Sequence, residues 1–218
     1  MVQFLDAVMT EFIEKTEGVK FMERANLFAQ RHRALGLGVL GWHDLLQRKM
    51  IPFDSFEAMQ LNARIFSDLQ NAAYKASSQL AHMFGEPEVL EGYGRRNTTL
   101  LAIAPTKSSS FILGQVSQGI EPHRSNFFIK DGAKGKITYK NQKLKEVLAS
   151  HGQDTRGVWK SIGEHDGSVQ HLEFLTEKEK EVFKTFPEIS QLAVIQQAAQ
   201  RQRWIDQGQS LNLMIHPQ

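Results

Sequence analysis

A cluster of hydroxyl side chains and one cation follows directly after a buried apolar segment of the chain. Residues 100–104 are an unbroken apolar run of strand length, and Pro105 ends it. The next residues are Thr106, Lys107, Ser108, Ser109 and Ser110, and the apolar segment 111–116 follows them. If that segment is a helix, its first backbone N–H groups lie free at the positive end of the dipole, where phosphate binds. A simple helix cap has the same composition, so the pattern alone leaves both interpretations open.

A second candidate motif lies at residues 36–41, where the letters match the G-x-G-x-x-G of dinucleotide-binding folds, with Glu57 about 20 residues further on. That motif requires a buried strand ending at its first glycine. Residues 21–35 instead carry charged side chains at helical intervals, and Glu57 falls within a helical pattern. We therefore predict no nucleotide cofactor at this motif.

One cluster of titratable residues and one single glutamate are weaker candidates for functional residues. His165, Asp166 and His171 match no established metal-ligand spacing, so we predict no metal site. A single glutamate beside a proline, Glu121, specifies no chemistry, and we interpret it as a structural carboxylate that pairs with an arginine. The candidate partners are Arg95, Arg96 and Arg124.

The composition argues against several classes of protein. The 218 residues are 41% hydrophobic, enough for a real core, and the basic residues are scattered among acidic ones with a net charge of +2, so no nucleic-acid-binding face is predicted. No apolar run approaches the roughly 20 residues of a membrane span, and the start lacks the order of a signal peptide, so we expect a cytoplasmic protein. Cysteine is absent, which excludes disulfides and thiol chemistry within these residues.

Hydrophobic periodicity predicts the elements that position these groups. Helices are expected at 2–34 with a break at Gly18, at 54–84 between an Asp54 or Ser55 cap and Gly85, around 144–148, and at 188–204. Separately, Thr176 and Glu179 are expected to form a capping box. Short buried strands are expected near 36–40, 100–104 and 210–215, and runs at 126–129 and 136–139 flank a glycine-rich β-hairpin turn. This alternation is the α/β pattern, but three strands cannot close a barrel of their own.

Several separate strings together resemble one family, the large (catalytic) subunit of class I ribonucleotide reductases. They are Arg-Arg-Asn-Thr-Thr-Leu at 95–100, Ala-Pro-Thr-Lys-Ser-Ser at 104–109, Gly-Ile-Glu-Pro at 119–122, Arg-Ala-Leu-Gly-Leu-Gly-Val at 33–39, and Asp-Gln-Gly-Gln-Ser-Leu-Asn-Leu at 206–213. The last string departs from the family, which usually has serine at the position of Gly208. The resemblance covers nearly the whole chain.

The resemblance implies that the chain is one partial domain, 1–218, of the family's ten-stranded α/β barrel, mostly helical with short buried strands and one β-hairpin. Residues 1–94 would form helices and one barrel strand, 95–124 the central strand and phosphate loop, and 125–218 the hairpin, helices and a final strand. In the family, that loop holds the phosphates of a ribonucleoside diphosphate, and the matching positions are Thr106, Ser108 and Ser109. The glycines at 36 and 38 would serve close packing in the barrel.

The family's chemistry also requires groups that this sequence lacks: a thiyl-forming cysteine, a redox cysteine pair and a paired-tyrosine radical relay. By resemblance, no catalytic residue, cofactor or metal belongs to this chain. A complete enzyme would add the cysteine-bearing N-terminal part of the large subunit, a radical-generating small subunit with its metal or radical cofactor, and a thioredoxin- or glutaredoxin-type reductant. The leading hypothesis is that the chain is a fragment of a split large subunit and is inactive alone. The apolar start without a preceding cap also suggests a fragment. The alternative is a non-catalytic remnant that binds phosphate or is purely structural.

Overall fold

The computed structural model describes residues 1–132 and 135–215. Its helices are α1 (Val2–Thr16), α2 (Glu23–His32), α3 (Trp42–Arg48), α4 (Phe56–Phe84), α5 (Lys107–Ile112), α6 (Gln142–Ser150), α7 (Arg156–Glu164), α8 (Glu177–Val182) and α9 (Gln191–Gln202). Strands β1 (Phe127–Gly132) and β2 (Gly135–Lys140) form the predicted antiparallel hairpin, and two residues of its predicted turn, 133 and 134, lie outside the described residues. The helix predicted at 2–34 is two helices, and Gly18, with φ of 70°, lies in the break between them.

The chain separates into two compact units. The first unit comprises Met1–Gly38, Asn62–Ala104 and Ala199–Gln209. The second comprises Val39–Leu61, Pro105–Ala198 and the residues that follow Gln209. The single partial domain over 1–218 stays a prediction.

Short parallel strand segments lie at the centre of the first unit. The segment around Leu101 pairs on one side with Leu37 and, through Ile103, on the other side with Gln209. Leu37 N–H donates to the Leu100 carbonyl at 2.7 Å, and Ile103 N–H donates to the Gly208 carbonyl at 3.2 Å. Leu100, Leu101 and Ile103 are buried, whereas Ala102 is half-buried and Ala104 is exposed. The prediction of a strand buried on both faces is therefore confirmed only for the first part of the segment.

Glycine at position 38 permits this pairing. A Cβ atom built on Gly38 would lie 2.5 Å from the carbonyl oxygen of Ala102, and one on Gly36 would lie 3.3 Å from the Ala102 Cβ. Real Cβ atoms do not approach a backbone oxygen so closely, so position 38 requires glycine, whereas a Cβ at position 36 would make a tight contact with a side-chain carbon. The expectation that the glycines serve close packing is confirmed.

The final strand was predicted at 210–215, and this position is wrong. The bridge that pairs with the central segment lies at Gln209, and residues 210–215 have no regular secondary structure. The side chain of Asp206 explains why the pairing segment lies before residue 210. Its Oδ2 accepts from the backbone N–H groups of Leu100 at 2.7 Å and Leu101 at 2.9 Å. This carboxylate holds the third segment against the central one before the apolar residues begin.

Helix α4 begins and ends at the signals that the sequence carries. The Ser55 hydroxyl accepts from Ala58 N–H at 3.2 Å, and Gly85, with φ of 79°, follows the last helical residue. Ser55, and not Asp54, is therefore the N-cap.

A continuous apolar cluster lies in the second unit, formed by α6, α7, α8 and the loops between them. Its fully buried members include Leu144, Leu148, Ile162 and Val182. The predicted capping box of Thr176 and Glu179 is present at the start of α8, and the predicted apolar face of α6 is buried. These predictions are confirmed.

In two helices, the buried face is not the apolar stripe that hydrophobic periodicity predicts. In α1, Phe4 is 62% exposed although it belongs to the apolar stripe, whereas the charged Asp6 is 4% exposed. In α9, Leu192 is 61% exposed, and the polar residues Gln197 and Arg201 are buried. Both helices turn a hydrogen-bonding face inward, so hydrophobic periodicity alone places them with the wrong rotation. None of the helices in the described residues is long and apolar enough to cross a membrane.

Candidate functional site

The predicted phosphate loop begins a helix, but that helix lies earlier in the chain than expected. The sequence suggested a helix over 111–116, whereas α5 spans Lys107–Ile112 and ends before Gly114 and Gln115, whose φ angles are 107° and 56°. Ser108 and Ser109 therefore lie within the first turn and do not precede it. Thr106 is the N-cap residue in the left-handed conformation, with φ of 49°, and its side chain caps no helical N–H group.

The loop presents a set of free hydrogen-bond donors. Ser108 and Ser109 are exposed and Thr106 is half-buried, and within the described part of the chain the two serine hydroxyls make no hydrogen bond to protein. The first intrahelical bond runs from Ser110 N–H to the Thr106 carbonyl at 2.9 Å. The N–H groups of 107–109 precede that bond and have no partner within the helix. Exposed hydroxyls and free N–H groups at the start of a helix can donate to the oxygens of a phosphate.

The segment at 116–119 makes two hydrogen bonds to the phosphate loop. Gly119 N–H donates to Thr106 Oγ1 at 2.8 Å, and Val116 N–H donates to the Ser110 carbonyl at 3.1 Å. Because Thr106 Oγ1 accepts from Gly119, its own proton is left to donate elsewhere. Two contacts therefore hold the start of α5 in place.

A cavity of about 350 Å³ lies beside the loop in the second unit. Lys107, Ser110, His123, Arg124 and Tyr139 are among the residues that line it. Ser108 and Ser109 do not line this cavity, so they face a different side of α5.

The sequence assigned no role to three polar residues near the loop. Buried His43 and half-buried Asp44 lie at the start of α3, and buried His123 follows the Gly-Ile-Glu-Pro string. Asp44 Oδ2 lies 2.9 Å from His123 Nε2, and His43 Nδ1 accepts from His123 N–H at 3.0 Å. The sequence offered only a positional signal, since His123 directly follows the Gly-Ile-Glu-Pro string and His43 lies four residues after the string at 33–39.

The surroundings of these residues determine their protonation. Complete burial, with the neighbouring His123 adding to the effect, lowers the pKa of His43 to about 3, so its imidazole is neutral. Its Nδ1 accepts a hydrogen bond, which places the ring proton on Nε2, near the Val182 carbonyl. Burial alone would raise the pKa of Asp44, but hydrogen bonds from His123 and Ser117 outweigh burial and hold this pKa below its ordinary value.

Glu121 is a structural carboxylate, but its predicted arginine partner is wrong. Its Oε1 accepts from the backbone N–H of Asn212 at 3.0 Å and from Asn212 Nδ2 at 2.5 Å. Of the proposed partners, Arg96 pairs with Asp6 at 3.0 Å, and Arg95 lies over the Tyr74 ring. An amide from the distant residue 212 could not be identified by sequence spacing.

His165 and His171 are close in space. Their rings stack with centroids 3.7 Å apart, and His171 Nε2 lies 2.8 Å from the Ser161 hydroxyl. Across residues 1–132 and 135–215, no group of three or more histidine or carboxylate side chains is arranged to hold a metal ion.

Comparisons with known proteins identify the family. The sequence matches the family described as "Ribonucleotide reductase, barrel domain" over residues 1–89 and 87–218. It is 41% identical over 217 residues to a ribonucleoside-diphosphate reductase large subunit of Invertebrate iridescent virus 3, covering 98% of this chain and 34% of the relative. It is also 41% identical to the large subunit of Invertebrate iridescent virus 6, covering all of this chain and 23% of that relative.

A solved structure agrees with this family assignment. The class Id ribonucleotide reductase alpha subunit of Actinobacillus ureae is 62% identical, with a TM-score of 0.92, and the similarity covers 99% of this chain and 39% of that one. The chain thus spans between about a quarter and two-fifths of the length of these relatives. The fold expected from the resemblance, a portion of the reductase barrel, is confirmed. This chain belongs to the ribonucleotide reductase barrel-domain family.

Proposed function

We propose that this chain is a component of a ribonucleoside-diphosphate reductase large subunit and that it contributes barrel walls and the substrate-phosphate loop. The observation that carries this proposal is the first turn of α5, where exposed Ser108 and Ser109 and unpaired N–H groups follow the central strand segment. A diphosphate carries the charge and the acceptor oxygens that such donors bind.

Reduction of the ribose needs groups from outside these 218 residues. A thiyl radical and a reducing dithiol both require cysteine, and the sequence contains none. In this proposal, the cysteine-bearing N-terminal part of the large subunit supplies the thiyl, a small subunit supplies the radical and its metal, and a thioredoxin- or glutaredoxin-type protein supplies electrons. This chain alone is inactive and holds the substrate by its phosphates.

The phosphate role is tested by calorimetric titration with ADP as the ribonucleoside diphosphate. The double variant Ser108→Ala with Ser109→Ala removes two hydroxyl donors to a charged ligand, and we expect binding at least about 100-fold weaker. The matched control is Ser67→Ala with Ser78→Ala, two half-buried serines on α4. Equal affinity of the α5 double variant and the control would show that the hydroxyls do not bind phosphate.

A reconstitution experiment tests the catalytic role. The chain is expressed together with the cysteine-bearing part of the large subunit and the small subunit, and formation of deoxyadenosine diphosphate from ADP is measured with a dithiol reductant. Activity that depends on this chain supports the proposal. Stable ADP binding without association or turnover would favour a non-catalytic, phosphate-binding remnant instead.

A further inference from the structure

The start of α3 and the loop at 117–123 hold each other through hydrogen bonds in both directions. Three successive N–H groups at the start of the helix donate to the loop. Gly41 donates to the Ser117 carbonyl at 2.9 Å, Trp42 to the Gly119 carbonyl at 3.3 Å, and His43 to Ser117 Oγ at 3.1 Å. The loop therefore satisfies helix donors that would otherwise lack acceptors.

The opposite set of bonds runs from the loop to side chains of α3. Asp44 Oδ2 accepts from Ser117 N–H at 2.5 Å and faces His123 Nε2 at 2.9 Å, while His43 Nδ1 accepts from His123 N–H. We call His43, Asp44 and His123 the α3 clamp. All three are at least partly buried, so water competes weakly for these bonds.

The α3 clamp reaches the phosphate loop through one more contact. Ser117, held by Asp44, lies two residues before Gly119, and Gly119 N–H donates to Thr106 Oγ1 at 2.8 Å. Thr106 has a left-handed backbone, which a β-branched residue adopts only when its surroundings enforce it. The contact from Gly119 is one such constraint.

We propose that Asp44 and His123 are positioning residues of the phosphate loop, which fix the 117–119 segment and through it the hydroxyl of Thr106 where a diphosphate is bound. This inference rests on the proposed phosphate role of the loop. Asp44 requires a donor at position 123, because without one its carboxylate loses a charge-assisted hydrogen bond and the 117–119 segment is held by fewer contacts. Preorganisation of the loop before the ligand arrives raises affinity, since less ordering is needed on binding.

The test compares two substitutions at one position. His123→Gln keeps an N–H donor that can reach Asp44, whereas His123→Met removes it at similar volume. With ADP as the probe, we expect His123→Met to weaken binding about tenfold, the effect of one lost hydrogen bond to a charged group, and His123→Gln to restore most of the affinity. If His123 acted only by filling space, the two variants would bind ADP with equal affinity.

The matched control is His151→Met. His151 also pairs with a carboxylate, Glu179, at 3.0 Å, but among residues 1–132 and 135–215 no hydrogen bond or ion pair joins either residue to the phosphate loop. Circular dichroism establishes that each variant is folded, and Asp44→Asn replaces His123→Met should the latter not fold. If Ser108→Ala with Ser109→Ala abolishes ADP binding while His123→Met binds as the wild type does, the positioning role is refuted and the phosphate role stands.

If the wild type binds no ADP, the proposed phosphate role is wrong. Hydrogen exchange then tests whether the α3 clamp holds the 117–119 segment. Exchange at the amides of Ser117 and Gly119 is compared in the wild type and the two His123 variants. Faster exchange in His123→Met, with protection restored in His123→Gln, supports the α3 clamp as the device that holds this segment. Equal exchange in all three proteins overturns it.

Discussion

Substitution of Asp6 tests how the first unit is held together. Asp6 lies on α1 and is 4% exposed. Its Oδ1 accepts from Arg33 Nε and Asn97 Nδ2, both at 2.9 Å, and its Oδ2 accepts from Arg96 Nε at 3.0 Å. Asp6→Asn keeps the shape of the side chain but removes the charge, and its NH₂ group would face donors that now have no acceptor.

The expected cost follows from burial. The arginine side chains are 7% and 13% exposed, so water replaces the lost carboxylate poorly. Removal of one partner from a buried ion pair costs about 3–5 kcal/mol. Arg33 also donates to the Asp6 carbonyl at 2.9 Å, and Arg96 donates to the carbonyls of Phe84 and Gly85 at 2.8 Å. Because these bonds remain, we expect the lower end of the range, about 3 kcal/mol.

Urea denaturation followed by circular dichroism measures the free energy of unfolding. Hydrogen exchange at Leu37 and Ala102, whose N–H groups pair the central strand segments, reports on the first unit specifically, and should accelerate about 100-fold. The control is Glu11→Gln, which removes an exposed pair with Lys15 on the same helix and should leave the unfolding curve unchanged. A loss below about 1 kcal/mol in Asp6→Asn would refute the reasoning, because it would mean that the two guanidinium groups need no buried counter-ion.

The remaining predictions concern packing and pH. Gly38→Ala should destabilise the chain by about 1–3 kcal/mol because its Cβ meets the Ala102 carbonyl. Gly208→Ser should change the free energy of unfolding by less than about 0.5 kcal/mol, because no atom of the described residues lies within 4 Å of the new Cβ. Equal thermal shifts in the two variants would contradict this prediction. The pKa values of Asp6 and Asp44 are lowered in the folded chain, so their contribution to stability is complete above pH about 4 and is lost as the pH falls through the folded values. Urea midpoints that do not change between pH 6 and 3 would exclude this linkage.

Local signals in the sequence were sufficient for several elements. The apolar run at 100–104, the hairpin β1–β2, the capping box of α8, and the ends of α4 at Ser55 and Gly85 depend on residues that are neighbours in the chain. Their energetics are those of short-range hydrogen bonds and of burial along one strand or helix face. The sequence also carried enough separate strings to indicate the family.

The tertiary structure alone decided which faces of α1 and α9 are buried and which polar group meets which partner. Asp6 points inward because Arg33 and Arg96, 27 and 90 residues away, converge on it, and Glu121 binds Asn212 across 91 residues. The register of α5 and the α3 clamp likewise depend on loops that are distant in the chain. The physical reason is that a buried polar group is stable only beside its partner, and partners brought together by folding leave no periodic signal in the sequence.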